Sequence, residues 1–389
     1  MTIPLMRSTC YREQETLTEL AKWLLTFPDK LSMSTYCARF EQVFAYWQKR
    51  QHAVLFNSGG SANLAMMQAL LNLGRLPKGG RVGFSALTWA TNVMPLIQLG
   101  FETLPIDVDP CTLNTMSVNL RPVIESLDAL FITNALGFLP DLDGIRYLCN
   151  FFGVTLIEDN CESLGSENKW NKAGNFGIAA SFSFFVAHHM STIEGGMAVT
   201  DDDELAEMLR MVRANGWDRN LDKRQQEQWR KRHYIESEFD AAYTFYVPAY
   251  NLRPTEITGF LGLQQMKHVD EAIRIRGEYF AELETILKTN DDLIPIQHDH
   301  MTVLSPFAFP VLCKTPELRE VYKIRFARAG VEIRPVIAGN IARQPFYRHL
   351  NGHYDLPGAD FVERCGFYFG IYPELTRDDL ETLKGCLSG

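Results

Sequence analysis

The sequence predicts an α/β protein, with a large domain on a mainly parallel sheet and a smaller C-terminal α+β domain. Three observations carry this reading. Short apolar strands alternate with helical stretches through the first two-thirds of the chain, the signature of a parallel sheet covered by helices on both faces. That alternation then gives way to one long helical stretch followed by mixed strands and helices. The length of 389 residues also exceeds the roughly 250–300 at which a single core stops growing, so two unequal domains are expected. The boundary is placed inside the long helical stretch near Arg274, giving domains 1–273 and 274–389.

In chain order, a helical segment RFEQVFAYWQKR (Arg39 to Arg50) precedes the apolar strand AVLFN. The glycine turn NSGGSANL opens a helix whose apolar residues recur at helical spacing. A strand RVGFSA, a helix from about Thr91 to Leu99, the strand ETLPIDV and a helix around Val118 to Ser126 follow. Strands ALFITNA and VTLIEDN flank the helix GIRYLCNFF, and a Ser- and Phe-rich strand from Ser181 ends at two adjacent histidines, His188 and His189. The mixed-sign stretch Asp218 to His233 reads as a solvated loop or helix, and PAYNLRPTEITGFLGLQQMKHVDEAIRIRGEYFAELETIL carries roughly 30 residues of helix. The smaller domain takes SPFAFPVL, ELREVYKIRFARAG, VEIRPVI and DDLETLKGCL.

Composition excludes several classes. With 46% hydrophobic and 12% aromatic residues and no run of about 18 apolar residues, a membrane span is not expected. The N-terminus lacks the apolar core and cleavage site of a signal peptide, so a cytoplasmic location is expected. A net charge of −9 with scattered Lys and Arg argues against nucleic-acid binding. Eight widely spaced cysteines without a C-x-x-C pair, and histidines without metal-ligand spacing, signal no metal site and no iron–sulfur cluster.

Three strand ends carry chemistry. NSGGSANL (Asn57 to Leu64) lets backbone N–H groups approach an anion at a helix N-terminus, with Gly60 and Ser61 as donors; a plain strand-to-helix turn accounts equally for the same residues. It matches neither G-x-x-x-x-G-K-[ST] nor G-x-G-x-x-G, which weakens ATP and NAD readings. LIEDNCESLGS places Glu158 and Asp159 at the carboxyl end of a buried strand, where open α/β sheets bind ligands. A buried carboxylate there needs a partner, and a protonated heterocyclic nitrogen would serve; capping of the next helix is the alternative. Trp89, in ALTWATN, could stack on a flat cofactor or simply be a core aromatic. An anchored phosphate, a stacked ring and a carboxylate for a pyridine nitrogen are together the attachment points of pyridoxal phosphate (PLP).

Five ordered motifs, NSGGSANL, EDNCESLGS, SFSFFVAHH with EGG, PAYNLRPTEITGFLGLQQM and GVEIRPV, resemble those of the DegT/DnrJ/EryC1/StrS family of PLP sugar enzymes, from about Phe40 to the C-terminus. That family is a branch of the aspartate aminotransferase fold, fold type I. The resemblance implies that Gly60, Ser61 and Ser183 hold the cofactor phosphate, Trp89 stacks on its ring, Asp159 pairs with the pyridine nitrogen and Glu162 lies beside the ring hydroxyl. It also implies that Asn251 reaches the cofactor of a second copy, so that a homodimer is the active unit. Arg219, Tyr250, Arg253, Arg334 and Asn340 would line the sugar-nucleotide pocket or meet the carboxylates of glutamate and 2-oxoglutarate; for each arginine a surface ion pair serves equally well. His189 could orient its neighbour or touch substrate, but reads better as facing a structural hydrogen-bond partner.

Most of the family reads approximately S-F-[YF]-P-T-K-[NH], with the lysine binding the cofactor covalently. Here His188 stands at the lysine position, and no lysine occurs between Lys172 and Lys223. Imidazole cannot form that bond, yet it carries protons near neutral pH. With AHHMSTIEGG retaining Thr192 and Glu194, the stretch resembles the nucleotide-sugar 3-dehydratases of the family. This implies pyridoxamine phosphate held non-covalently, His188 as the base, loss of the C3 hydroxyl from a nucleotide-linked 4-keto-6-deoxyhexose, and regeneration of the amine from glutamate. The CDP-hexose branch carries a four-cysteine iron–sulfur motif after its counterpart of NGWDRN, whereas Asn215 to Asn251 contain no cysteine here; the chain thus resembles the GDP-4-keto-6-deoxymannose 3-dehydratase branch. The nucleotide stays open between GDP and CDP. A lysine-free aminotransferase and a non-catalytic cofactor-binding relative are the other readings, and retention of the cup, Asp159 and Trp89 speaks against the second.

Overall fold

The computed structural model describes residues 2–169 and 171–389. Among the described residues the strands are β1 (His52–Phe56), β2 (Arg81–Ser85), β3 (Glu102–Ile106), β4 (Ala129–Thr133), β5 (Thr155–Asp159), β6 (Glu167–Asn168), β7 (Asn171–Lys172), β8 (Ala179–Ser183), β9 (Gly196–Thr200), β10 (Met301–Val303), β11 (Ala308–Leu312), β12 (Ile333–Arg334) and β13 (Gly366–Gly370). The longer helices are α1 (Glu13–Leu24), α2 (Thr35–Gln48), α3 (Gly59–Asn72), α4 (Ala90–Gln98), α5 (Leu142–Phe152), α6 (Asp203–Arg213), α7 (Lys223–Arg232), α8 (Glu256–Met266), α9 (Val269–Leu287), α10 (Pro316–Arg328), α11 (Pro357–Cys365) and α12 (Arg377–Leu387).

Seven strands form the central sheet in the order β1-β9-β8-β5-β4-β2-β3. All pairings from β8 to β3 are parallel, and β9 runs antiparallel to both β8 and β1, so one reversed strand sits among six that point the same way. Both faces are covered, which is why the inner strands are largely apolar rather than alternating: β4 and β9 are buried at every residue. Successive residues of β1 serve opposite layers, Val54 and Phe56 packing with α3 while Ala53 and Leu55 join Phe40 and Phe44 of α2. Farther along the face that α2 covers, Leu142 and Ile145 of α5 meet Leu130, Ile132 and Leu156. A three-stranded antiparallel sheet, β11-β13-β12, forms the C-terminal unit, packed beside α10, α11 and α12.

Buried carboxylates join distant segments. Glu256, at the start of α8, accepts from the amides of Ser34 (2.7 Å), Tyr36 (2.8 Å) and Cys37 (3.1 Å), which gives the N-terminus of α2 an acidic cap. Along the same contact a Cβ on Gly262 would lie 2.4 Å from the Phe40 ring, so only glycine lets α8 approach α2.

The structure departs from expectation at two helices and decides between the alternatives for a third segment. The helix expected around Val118–Ser126 is two short turns, Ser117–Leu120 and Ile124–Ser126, with Pro122 between them lacking the N–H a continuous helix needs. The long stretch divides into α8 and α9 at Lys267 and His268, and the expected boundary near Arg274 falls within α9. The mixed-sign segment is helical over α7, started by a capping box in which Asp222 accepts from the Gln225 amide. All eight cysteines are free thiols. No helix among the described residues is long and apolar enough to cross a membrane.

Candidate active site

Where the parallel strands end, a cavity of about 420 Å³ opens, bounded by Ser58, Gly59, Gly60, Trp89, Asp159, Glu162, Ser183, His188 and residues of the C-terminal unit. Its floor is the N-terminus of α3. Ser58 caps this helix, its Oγ accepting from Ser61 N at 3.0 Å, while the first-turn amides of Gly59 and Gly60 lack intrahelical acceptors by the geometry of any helix start. A Cβ on Gly59 would lie 2.7 Å from Ser183 Cβ, and one on Gly60 2.8 Å from Thr91 Cγ2, so side chains here would fill the cradle. Gly196, at the start of β9, is needed for the same reason: its Cβ would meet the Ser58 carbonyl at 2.3 Å.

The two acids at the end of β5 part company, because neighbouring residues of a strand face opposite ways. Glu158 is wholly buried and accepts from the amides of Gly174, Phe176 and Gly177, each at 2.8 Å. Asp159 turns to the cavity, where Asn63 Nδ2 and Cys161 N donate to it, both at 2.8 Å. No cation pairs with this carboxylate among the described residues. Trp89, 57% exposed, stands in the wall, and Asn92 beside it is buried with neither end of its amide hydrogen-bonded within the protein.

His188 closes the cavity from the connection between β8 and β9. Its Nδ1 lies 2.5 Å from the Cys161 carbonyl, which can only accept; the proton therefore sits on Nδ1 and the lone pair on Nε2. Phe307 packs against the imidazole at 5.0 Å. Burial pushes the imidazole down to about 4, opposed by the Cys161 carbonyl and Asp159 and aided by the charge of Arg276. The group is thus a neutral base at physiological pH. Burial also pushes Glu162 up to about 7, against the Leu136 N–H that donates to its Oε2 at 2.9 Å, and with the Asp159 carboxylate adding to the rise. That N–H is aimed by Leu136 in the left-handed region, φ 52°.

Compared with known families, residues 12–388 match the DegT/DnrJ/EryC1/StrS aminotransferase family. The chain belongs to this family. It is similar to the GDP-4-keto-6-deoxy-D-mannose 3-dehydratase of Escherichia coli O55:H7, 31% identical over 92% of this chain and 92% of that protein. A second enzyme of that name, from Yersinia pseudotuberculosis, is 30% identical over 92% of this chain and 91% of its own. Among solved structures, E. coli GDP-4-keto-6-deoxy-D-mannose-3-dehydratase with bound hydrated PLP superposes with a TM-score of 0.90 at 29% identity, covering both chains completely. A crystal structure of such an enzyme with a trapped PLP–glutamate geminal diamine does so too, TM-score 0.90 and 29% identity, over 99% of this chain and 100% of that one. The fold is that of the PLP-dependent fold type I enzymes.

Within this DegT/DnrJ/EryC1/StrS site, Gly60, Trp89, Asp159, Glu162, Ser183 and His188 come together as the strand ends dictate. Ser61 does not stand in the cavity wall: its amide is taken by Ser58 and its hydroxyl donates to Asn57 Oδ1 at 2.6 Å, leaving Gly59 beside Gly60 at the floor. His189 turns away, its Nε2 donating to the Ser305 carbonyl at 3.0 Å, and burial pushes it well below the usual imidazole range. Asn340 is buried and committed inside the protein, accepting from Ala342 N and donating to Asp360 Oδ1. Tyr250 donates to Gln68 Oε1, and Asn251 accepts from Arg253 Nε. Arg219 lies over the Trp217 and Tyr243 rings, and Arg334 pairs with Glu332. None of His189, Arg219, Tyr250, Asn251, Arg253, Arg334 and Asn340 lines the cavity of its own chain.

Sequence reasoning missed Thr91, Asn92, Thr133, Phe307, Ile337 and Tyr368 in the wall and Asn63 beneath Asp159. Asn63 had a signal: a polar residue one helical turn beyond Gly59, among apolar neighbours.

Proposed function

We propose that this chain is a PLP-dependent 3-dehydratase that removes the C3 hydroxyl of a nucleotide-linked 4-keto-6-deoxyhexose, of the GDP-4-keto-6-deoxymannose type, with the amine form of the cofactor restored by glutamate. One observation carries the reading. At the position where the family's aminotransferases hold the cofactor through lysine, the cavity presents the lone pair of a neutral histidine.

The residues present fit the cofactor. The cradle of Gly59 and Gly60 has room for a phosphate and no room for a side chain, with Ser183 at its rim. Asp159 is a buried carboxylate lacking a cation, as a pyridinium nitrogen requires, and it is aimed by Asn63 and the Cys161 amide. Trp89 offers a face for the ring, and Glu162, its carboxyl pushed up to about 7 by burial, can share a proton with the ring hydroxyl. Pyridoxamine phosphate would supply a primary amine for the keto carbon and a ring that withdraws electrons.

His188 Nε2 does the proton work. Neutral in the free site, it accepts a proton from carbon and, as imidazolium, can return it to the departing hydroxyl, so water leaves and the charge balances. Nδ1–H stays on the Cys161 carbonyl throughout and holds the ring plane. No lysine lines the cavity among the described residues, so no side-chain amine competes for the cofactor.

The reading also places the chain in deoxysugar and surface-polysaccharide synthesis in the cytoplasm and makes the active unit a homodimer. Support for the dimer is that Asn251 and Arg219 are exposed on their own chain and stand outside its cavity. Incubation with PLP, glutamate and GDP- or CDP-4-keto-6-deoxyhexose should yield a 3-deoxy ketone, ammonia and 2-oxoglutarate. A 4-amino sugar that keeps its C3 oxygen would instead identify an aminotransferase.

A further inference from the structure

Behind His188, on the side away from the cavity, lies Arg276 of α9, the largest fully buried side chain among the described residues, 2% exposed. No carboxylate among the described residues comes within ion-pair distance of it. A guanidinium removed from water is costly unless its donors are satisfied, so what it donates to matters. Nη1 donates to the carbonyls of Phe307 (3.0 Å), Pro306 (3.3 Å) and Ile371, while Nη2 reaches the carbonyl of His188 itself at 3.5 Å. These four carbonyls belong to three segments: the connection between β8 and β9, the entry to β11 and the exit of β13.

We propose that Arg276 is a positioning residue for His188, fixing the backbone that bears the imidazole against the strand ends of the C-terminal unit. Two further facts support it. Phe307, whose carbonyl Arg276 holds, is the residue whose ring packs on the His188 imidazole, so the guanidinium acts on both the seat of the base and its lateral wall. The cavity bounded by Arg276, His188, His189 and Tyr372 is only about 10 Å³, room for one water-sized sphere, so neither histidine can swing back into it. The positive charge also disfavours protonation of both histidines, in keeping with a base kept neutral.

The inference rests on His188 being the base, and the test separates the two. Arg276→Lys keeps a cation but loses the planar fork that spans three segments. In the loaded enzyme, kcat for dehydration should fall about 10- to 100-fold, with KM for the nucleotide sugar and cofactor affinity within about twofold. In the protein without cofactor, the ¹H–¹⁵N imidazole spectrum of His188 should change from a single Nδ1–H tautomer to a mixture. Unaltered His188 signals with kcat within about twofold of wild type would overturn the proposal. So would a loss of kcat that merely follows loss of folded protein, measured by thermal unfolding of Arg276→Lys and of the neutral Arg276→Gln. If Arg276→Gln does not fold, Arg276→Lys alone decides. Should the wild type fail to dehydrate any substrate, the functional reading falls, while the imidazole spectrum still reports whether Arg276 holds His188.

Discussion

A single carbonyl decides the chemistry of His188. Because the Cys161 oxygen can only accept, the imidazole must present Nε2 as a base, and burial keeps it unprotonated. His188→Asn should therefore retain the cofactor while losing about 10²- to 10⁴-fold in kcat; equilibrium dialysis of PLP and product analysis check the two halves separately. His188→Lys should trap PLP covalently, seen as a visible absorbance band that borohydride bleaches while fixing the cofactor to the chain, and the lack of such a band would mean that residue 188 does not face the cofactor. Acid stability tests the burial of both titrating groups. The folded imidazole protonates at about 4 against 6.5 in the unfolded chain, so between these values the unfolded state binds more protons and His188 makes the fold less stable as pH falls. Glu162 acts oppositely. Its folded carboxyl protonates at about 7 against 4.5 unfolded, so its contribution is present below 4.5 and lost as pH rises through 7. Glu162→Gln should remove that declining component from the melting temperature of the cofactor-free protein, and an unchanged pH slope would contradict it.

At the scale of elements, the strand ends were readable because a strand buried on both faces is an apolar run, and a polar residue at its carboxyl end stands out. Asp159 was legible on that ground and the cup from its small residues, whereas Ser183 and the role of His188 came from the resemblance to the family. Two things were hidden. The different fates of Glu158 and Asp159 depend on which face of β5 meets the 174–177 loop, a tertiary fact. Phe307, Ile337 and Tyr368 enter the site from the C-terminal unit, more than 100 residues after His188, and carry no local motif. Ser61 was misplaced because Ser58 takes its amide, a competition between two hydroxyl residues that the motif alone does not resolve. Glu158→Ala would strand three buried amides and should cost about 3–4 kcal/mol in urea unfolding. A loss below about 1 kcal/mol would mean that the 174–177 loop is held by other contacts.

On the scale of the whole molecule, the fold class and the order of strands and helices follow from periodicity, but the place of β9 does not, since nothing in GMAVT announces a strand running against its neighbours. Nor does the proposed sharing of the site between two copies follow from one chain's cavity. Mixing His188→Asn with Asn251→Ala protein tests it. A hybrid dimer has one site with both wild-type residues, so two inactive preparations should regain roughly a quarter of wild-type activity on exchange of subunits. No recovery would mean that Asn251 serves the site of its own chain, and an Asn251→Ala protein that is active by itself would mean that Asn251 is idle. The reversal of β9 has a historical consequence as well. The ends of β1, β2 and β4 around the cofactor cradle lead into the helices α3, α4 and α5, so altering them disturbs a layer of the fold, but residue 188 hangs in a return between two adjacent, paired strands. Its side chain can be exchanged without moving either strand, which leaves the reaction open to change by single substitution in a lineage whose hold on the cofactor stays as it was.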